Sequence, residues 1–188
     1  MACNFINVGN VGTKCKESFS GVGSTVYIFT KDDLEEKSLA PEYSDIFAGF
    51  TEESFAGLKV CAIKVKSKSG KVTATSNPNG GGFSNVYTGV IANDMDSMSA
   101  VARVMNNRTD WGILVPAGDG SYFVLYDDEY DIEFSMESDT GDAADSDHGH
   151  TVTITQSPML YAFPKWKPGA GGALVVSEAN SYSDSIVG

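Results

Sequence analysis

WGILVPAGDGSYFVLYDDEYDIEFSMESDTGDAADSDHGHTVTIT, Trp111 to Thr155, is where the fold of this chain is decided. Trp111 to Val115 is apolar and β-branched, Ala117-Gly118-Asp119-Gly120 is turn chemistry, and Tyr122 to Tyr126 returns in β-forming residues. Tyr130 to Met136 and Thr151 to Thr155 read as two further strands. From Asp127 to Asp147 the chain carries ten carboxylates (Asp127, Asp128, Glu129, Asp131, Glu133, Glu137, Asp139, Asp142, Asp145, Asp147) and no Lys or Arg. An acid block set between strands belongs to the body of a β domain and not to a tail. Charges of one sign at this density repel. They are tolerable in solvent, beside a cation, or where a polyanion must be kept off.

Upstream, Val26 to Thr30 is a strong strand. Asp32 and Glu35 have capping-box-like spacing, which predicts a short helix or turn over Asp33 to Ser38. Leu39 to Gly57 reads as a loop or insertion whose aromatics, Tyr43, Phe47, Phe50 and Phe55, dock elsewhere. From Leu58 to Lys68, Ile63 and Val65 alternate with Lys64, Lys66 and Lys68, the period of a half-buried strand. Ser67 to Gly70 supplies a turn and Val72 to Ser76 the expected hairpin partner. Phe83 to Ile91 is the next strand.

One helix follows, about residues 94–107, capped by Asn93 or Asp94. Met98, Val101, Ala102 and Met105 form its apolar stripe. The order predicts a mainly β fold: an antiparallel β-sandwich or split barrel with one packed α-helix. Its expected parts are an extended arm (1–23), the β domain (24–168) and a Gly/Ser-rich tail (169–188) with an apolar patch at Ala173 to Val176.

With 188 residues, 41% of them hydrophobic, the chain buries a real core. Its net charge of -12 argues against a protein that grips nucleic acid by neutralising phosphates. The start lacks a basic and apolar leader and no apolar run reaches spanning length, so synthesis in the cytoplasm without a membrane partner is expected. Cys3, Cys15 and Cys61 have no metal-ligand spacing. Only His148 and His150 are available to a catalytic relay, and neither stands near a nucleophile motif. No enzyme activity and no cofactor are therefore expected. Trp111 and Trp166 read as packing anchors.

Asp139, Asp142, Asp145, Asp147, His148 and His150 form the sharpest metal candidate, with Ca²⁺ suited to hard oxygen ligands at short spacing. The spacing departs from an EF-hand and lacks its terminal Glu, so a solvated acidic loop is the favoured reading. Lys64, Lys66 and Lys68 either blunt an edge strand or meet Asp139, Asp142 and Asp145 of a neighbouring subunit.

Two strings carry a resemblance to a known group. One is the strand ending in a Gly-Asp-Gly turn, Val115 to Tyr122. The other runs from Phe134 to Thr155: a strand, a Thr-Gly turn, an Asp-rich loop and a Thr-rich strand. The single helix Asp94 to Asn107 between strand sets fits as well, as does Cys15 ahead of a Gly turn and the strand Val26 to Thr30. Together they resemble the tail tube (major tail) proteins of long-tailed bacteriophages, including those of gut Bacteroidetes phages. That resemblance implies a virion structural protein that self-assembles into stacked, hexameric rings. Its partners would be itself and other tail proteins, around a channel through which DNA passes without specific binding. Two alternatives stand beside it: a connector, hub or terminator ring protein of the same fold, and a Ca²⁺-dependent β-sandwich binding module.

Overall fold

The computed structural model describes residues 22–34, 42–44, 47–50, 54–78, 81–91, 95–127, 130–139, 149–159, 161–170 and 173–177. Along the chain come β1 (Thr25–Thr30), a 3-10 turn (Lys31–Leu34), β2 (Glu42–Ser44), β3 (Phe47–Phe50), β4 (Lys59–Lys64) and β5 (Lys71–Ser76). Then follow β6 (Phe83–Ile91), helix α1 (Met95–Asn106), β7 (Trp111–Pro116), β8 (Tyr122–Leu125), β9 (Ile132–Asp139), β10 (Gly149–Met159), β11 (Lys165–Trp166) and β12 (Val175–Ser177).

These strands make two sheets. The larger has the order β12-β4-β1-β7-β8-β11-β3-β2 and the smaller β5-β6-β10-β9. The smaller is antiparallel throughout. The larger is mixed, since β11 runs parallel to β3 and β12 parallel to β4. The expectation of a mainly β fold with one helix therefore holds, and both sheets are rich in antiparallel pairs, although the larger is mixed.

Strand β7 shows why the sheets stack as they do. Every residue from Trp111 to Val115 is buried. Trp111, Ile113 and Val115 face the smaller sheet and share a core with Val26, Ile28, Tyr87, Ile91, Val152 and Ile154. Leu114 faces the other way, into a second core with Phe29, Phe55, Val60, Val124 and Trp166. A strand covered on both faces is written as a continuous apolar run instead of an alternating one. Gly112 is forced by this crowding: a Cβ there would sit 2.6 Å from Phe29 Cζ and 2.9 Å from Tyr126 Cβ. Helix α1 covers the expected stretch and sends Met105 into the first core. The side chains of Met98 and Val101 lie outside the described residues. Trp111 and Trp166 are anchors as expected, 2% and 0% exposed.

Four expectations are corrected. β4 and β5 do not form a hairpin. β4 pairs with β1 and β12, whereas β5 pairs with β6 in the other sheet. Residues 65–70 are a corner between sheets. Val65 N–H donates to Ser24 O (2.9 Å), Lys66 N–H to Val90 O (2.6 Å), and Lys68 turns the chain at φ 66°. Lys64 and Lys66 are exposed and Val65 is buried, an alternation that ends at exposed Ser67, and this short stretch is why the sequence imitates a hairpin arm. Secondly, Leu39 to Gly57 is not simply a loop. It supplies β2 and β3, which pair with each other, and Phe55 packs against Phe50 and Trp166 at ring-centroid distances of 5.0 and 5.4 Å. Thirdly, the apolar patch of the tail becomes β12, a three-residue strand on the margin of β4. Fourthly, the turn expected over Asp33 to Ser38 comes earlier, at Lys31–Leu34, and 35–38 lie outside the described residues. Of the arm, residues 1–21 lie outside them too, and Val22 bridges to Ala117.

Candidate assembly surface

The smaller sheet has one apolar face and one hydroxyl-rich face, set by period-two alternation in its strands. On the inner face, cross-strand rows run Met136–Val152–Gly89 and Phe134–Ile154–Tyr87–Val72. A Cβ at Gly89 would collide with the Tyr87 hydroxyl, so the tyrosine ring occupies the space that residue gives up. Burial pushes the Tyr87 phenol up to about 12.

Polar residues end these rows. At one end Gln156 Nε2 donates to Tyr130 O (3.0 Å) and Asp131 O (3.3 Å). Beside it, Asn85 Nδ2 donates to Tyr161 O (2.9 Å) and Asn85 Oδ1 accepts from Phe163 N–H (3.2 Å). Both side chains are buried, so each spends its hydrogen bonds tying a loop to the sheet. At the other end His150 is fully buried, with Nδ1 2.8 Å from Ser138 Oγ. Among the described residues, His150 Nε2 and the Tyr87 hydroxyl have no hydrogen-bond partner.

The outer face carries Ser84, Val86, Thr88 and Val90 from β6, and Thr151, Thr153 and Thr155 from β10. β9 adds Glu133, Ser135 and Glu137, and β5 adds Lys71, Thr73 and Thr75. Short hydroxyls fill its centre. Charge is kept to the margins, carboxylate on β9 and a single lysine on β5. The margins themselves are open: among the described residues no strand pairs with the outer side of β5 or of β9.

The residues singled out in the sequence divide as follows. Lys64, Lys66 and Lys68 are exposed at and beside the 65–70 corner, and this corner abuts the end of β6 through the Lys66 N–H to Val90 O bond. Asp139 ends β9 at that same end of the sheet, paired with Gly149. The lysine corner and Asp139 thus share an end but lie on opposite margins, three strand spacings or about 14 Å apart. His150 is turned to the interior. Asp142, Asp145, Asp147 and His148 lie outside the described residues. Among the described residues no group of three or more His, Cys, Asp or Glu is placed to hold a metal ion. No helix of the described residues is long and apolar enough to cross a membrane. Cys61 is buried and its thiol is pushed up by that burial, the state of an inert core thiol. Sequence reasoning named β10 as a Thr-rich strand but did not place its threonines on a surface. Their signal was present in the strict alternation of Thr151, Thr153 and Thr155 with Val152 and Ile154.

The Gly-Asp-Gly turn between β7 and β8 is fastened by its acid. Asp119 Oδ1 accepts from the Ser121 hydroxyl and from Ser121 N–H (3.0 Å), and Asp119 Oδ2 from Lys165 Nζ (3.2 Å). These bonds, the Ser121 hydroxyl first, hold the carboxyl down at about 2. A depressed folded-state pKa adds stability that is full above the unfolded value, near 4, and is lost as pH falls towards about 2. The pair is half exposed, so screening limits the contribution to about 1 kcal/mol or less. In urea titrations, Asp119→Asn should lower stability by up to about that amount at pH 7. The two proteins should converge near pH 2.

A scan against protein-family models, a search of curated proteins and a search of solved structures each find no match for this chain.

Proposed function

We propose that this protein is a virion structural subunit of a bacteriophage tail. In this reading it is the tube protein, which joins identical copies into stacked hexameric rings around a channel that conducts DNA. The observation that carries the reading is the smaller sheet. It is a four-stranded antiparallel unit, apolar on one side and hydroxyl-rich on the other, and both its margins are unpaired among the described residues. A threonine-rich outer face would suit any solvated sheet. Open margins, which the larger sheet also has at β12 and β2 among the described residues, are edges that invite further strands, and closure into a ring removes them.

The chemistry of the outer face suits a conduit. A wall that gripped phosphates would hold the polymer, since each contact releases counterions and adds affinity. Hydroxyls bordered by Glu133 and Glu137 offer no such grip. Strands about 4.8 Å apart and tilted about 40° would place a ring of six such sheets roughly 45–50 Å across between opposing backbones, a bore wide enough for a duplex.

The test is assembly. Purified protein at rising concentration, followed by mass measurement and negative-stain microscopy, is expected to give rings that stack into tubes. Rings that never stack would favour a connector, hub or terminator of the same architecture. A protein that stays monomeric at high concentration would sink the reading.

A further inference from the structure

We propose that Tyr130 and Phe163 form a docking platform for an arginine-bearing segment of another protein. The proposal does not rest on the ring reading. Among the described residues these two are the aromatic side chains left exposed, at 45% and 39%. Both stand at the end of the smaller sheet where Asn85 and Gln156 are cross-strand partners. Each of these buried amides holds one of them. Gln156 fixes Tyr130 through its carbonyl, and Asn85 fixes Phe163 through its N–H. Neighbouring strands lie about 5 Å apart, so the two loops are carried side by side.

Phe163 is held against strain. Its backbone is left-handed, φ 54°, a conformation that glycine adopts freely and a bulky residue rarely. Burial does not offset that strain, because the ring meets half-buried Phe123 at 5.9 Å and is still exposed. A buried amide that keeps an exposed ring in an unfavourable backbone conformation serves something other than packing.

Charge selects the occupant. The fold makes the arrangement once already: Lys165 Nζ stands 4.8 Å from the centre of the Phe123 ring and 3.2 Å from Asp119 Oδ2. Ring and carboxylate both attract the cation between them. At Tyr130 the ring and the carboxylates are present. Its N–H donates to Asp127 Oδ1 (3.3 Å), and exposed Asp131 follows it in the chain. Among the described residues no cation lies over Tyr130 or Phe163. Arginine suits the vacancy better than lysine, since a planar guanidinium stacks on a ring and forks to a carboxylate. A nucleobase could stack too, but its phosphates would meet these carboxylates and a chain of net charge -12. The arginine comes from a different protein. This chain has two, and Arg108 is closed on Asp110 by two hydrogen bonds, which leaves a second copy only Arg103 to offer.

The test is fluorescence anisotropy with a labelled Gly-Ser-Arg-Gly-Ser-Arg-Gly-Ser peptide, beside the same peptide with citrulline in place of arginine. The arginine peptide should bind and the uncharged one should bind more weakly. Phe163→Gly removes the ring and relaxes the backbone together. It should weaken peptide binding by about 2- to 5-fold, Y130A by a similar factor and the double variant by about 10-fold. Thermal unfolding of F163G should give a Tm equal to or above that of the unsubstituted protein, because glycine is at ease in this conformation. A fall of about 5 °C or more would make Phe163 a packing residue and overturn the proposal. No binding of the arginine peptide, equal binding of the citrulline peptide, or tighter binding of labelled oligothymidylate or maltohexaose would overturn it as well. If R103A and the Y130A/F163G variant both lower the mass of the protein in solution, a second copy covers the platform and the foreign partner is overturned.

Discussion

In the proposed ring, replacing Thr151, Thr153 and Thr155 together by lysine is expected to convert a wall that ignores duplex DNA into one that holds it. The three residues lie in one line on the outer face of β10, half-buried among neighbouring side chains. They are surface positions of a regular strand, so the substitution leaves both cores untouched. Repeated around a ring, three cations per copy would line the bore. Non-specific DNA binding should appear at low salt and fall by about 10³-fold or more between 50 and 200 mM. Fluorescence anisotropy with labelled duplex across a salt series reads this directly. Topology separates the bore from the outer surface, because linear duplex can thread a closed ring and a covalently closed circle cannot. Retention of linear DNA only is the expected result. Equal retention of both would place these threonines on the outside of the assembly.

The second large effect is on folding. Trp166 is fully buried in a two-residue strand, with its ring 5.4 Å from Phe55 and 5.3 Å from Tyr122. It links β11 to the turn ahead of β4, and through Phe55 to Phe29 and Phe50. Trp166→Ala leaves a cavity that rigid neighbouring rings cannot fill, at a cost of about 3–5 kcal/mol. For a domain of this size that lowers Tm by roughly 10 °C. Thermal unfolding of the monomer at low concentration measures it. A shift of only a degree or two would mean that the second core collapses onto the gap.

Local structure was legible in this sequence to the extent that it was periodic. Phe83 to Ile91 and the strands around the acid block needed only alternation, Trp111 to Tyr126 only β-forming runs about a Gly-Asp-Gly turn, and helix α1 only its stripe. Partnership was not legible. The alternation through Lys64, Val65, Lys66 and Lys68 is the same whether the chain turns back on itself or crosses to another sheet, because side-chain period is indifferent to which backbone supplies the hydrogen bonds. β2, β3 and β12, at three or four residues, are too short to show a period. Gly49 in β3 and the glycines before β12 signal loops more loudly than the strands signal themselves. The acid block was conspicuous, but the surface it borders was not. Thr151, Thr153 and Thr155 carry no charge, and the Thr-rich pattern they form does not say which way it faces. They gain meaning only once Val152 and Ile154 have been shown to point inward.

The evenness of the smaller sheet constrains any redesign of the protein. With an odd number of strands the two margins would run the same way, and repeating the unit around an axis would create a mismatched parallel seam at every boundary. In the proposed ring, enlarging the subunit to widen the bore would require inserting strands as whole hairpins, two at a time. The same bookkeeping predicts that natural variants of such a wall differ by pairs of strands, or by how many copies close the circle.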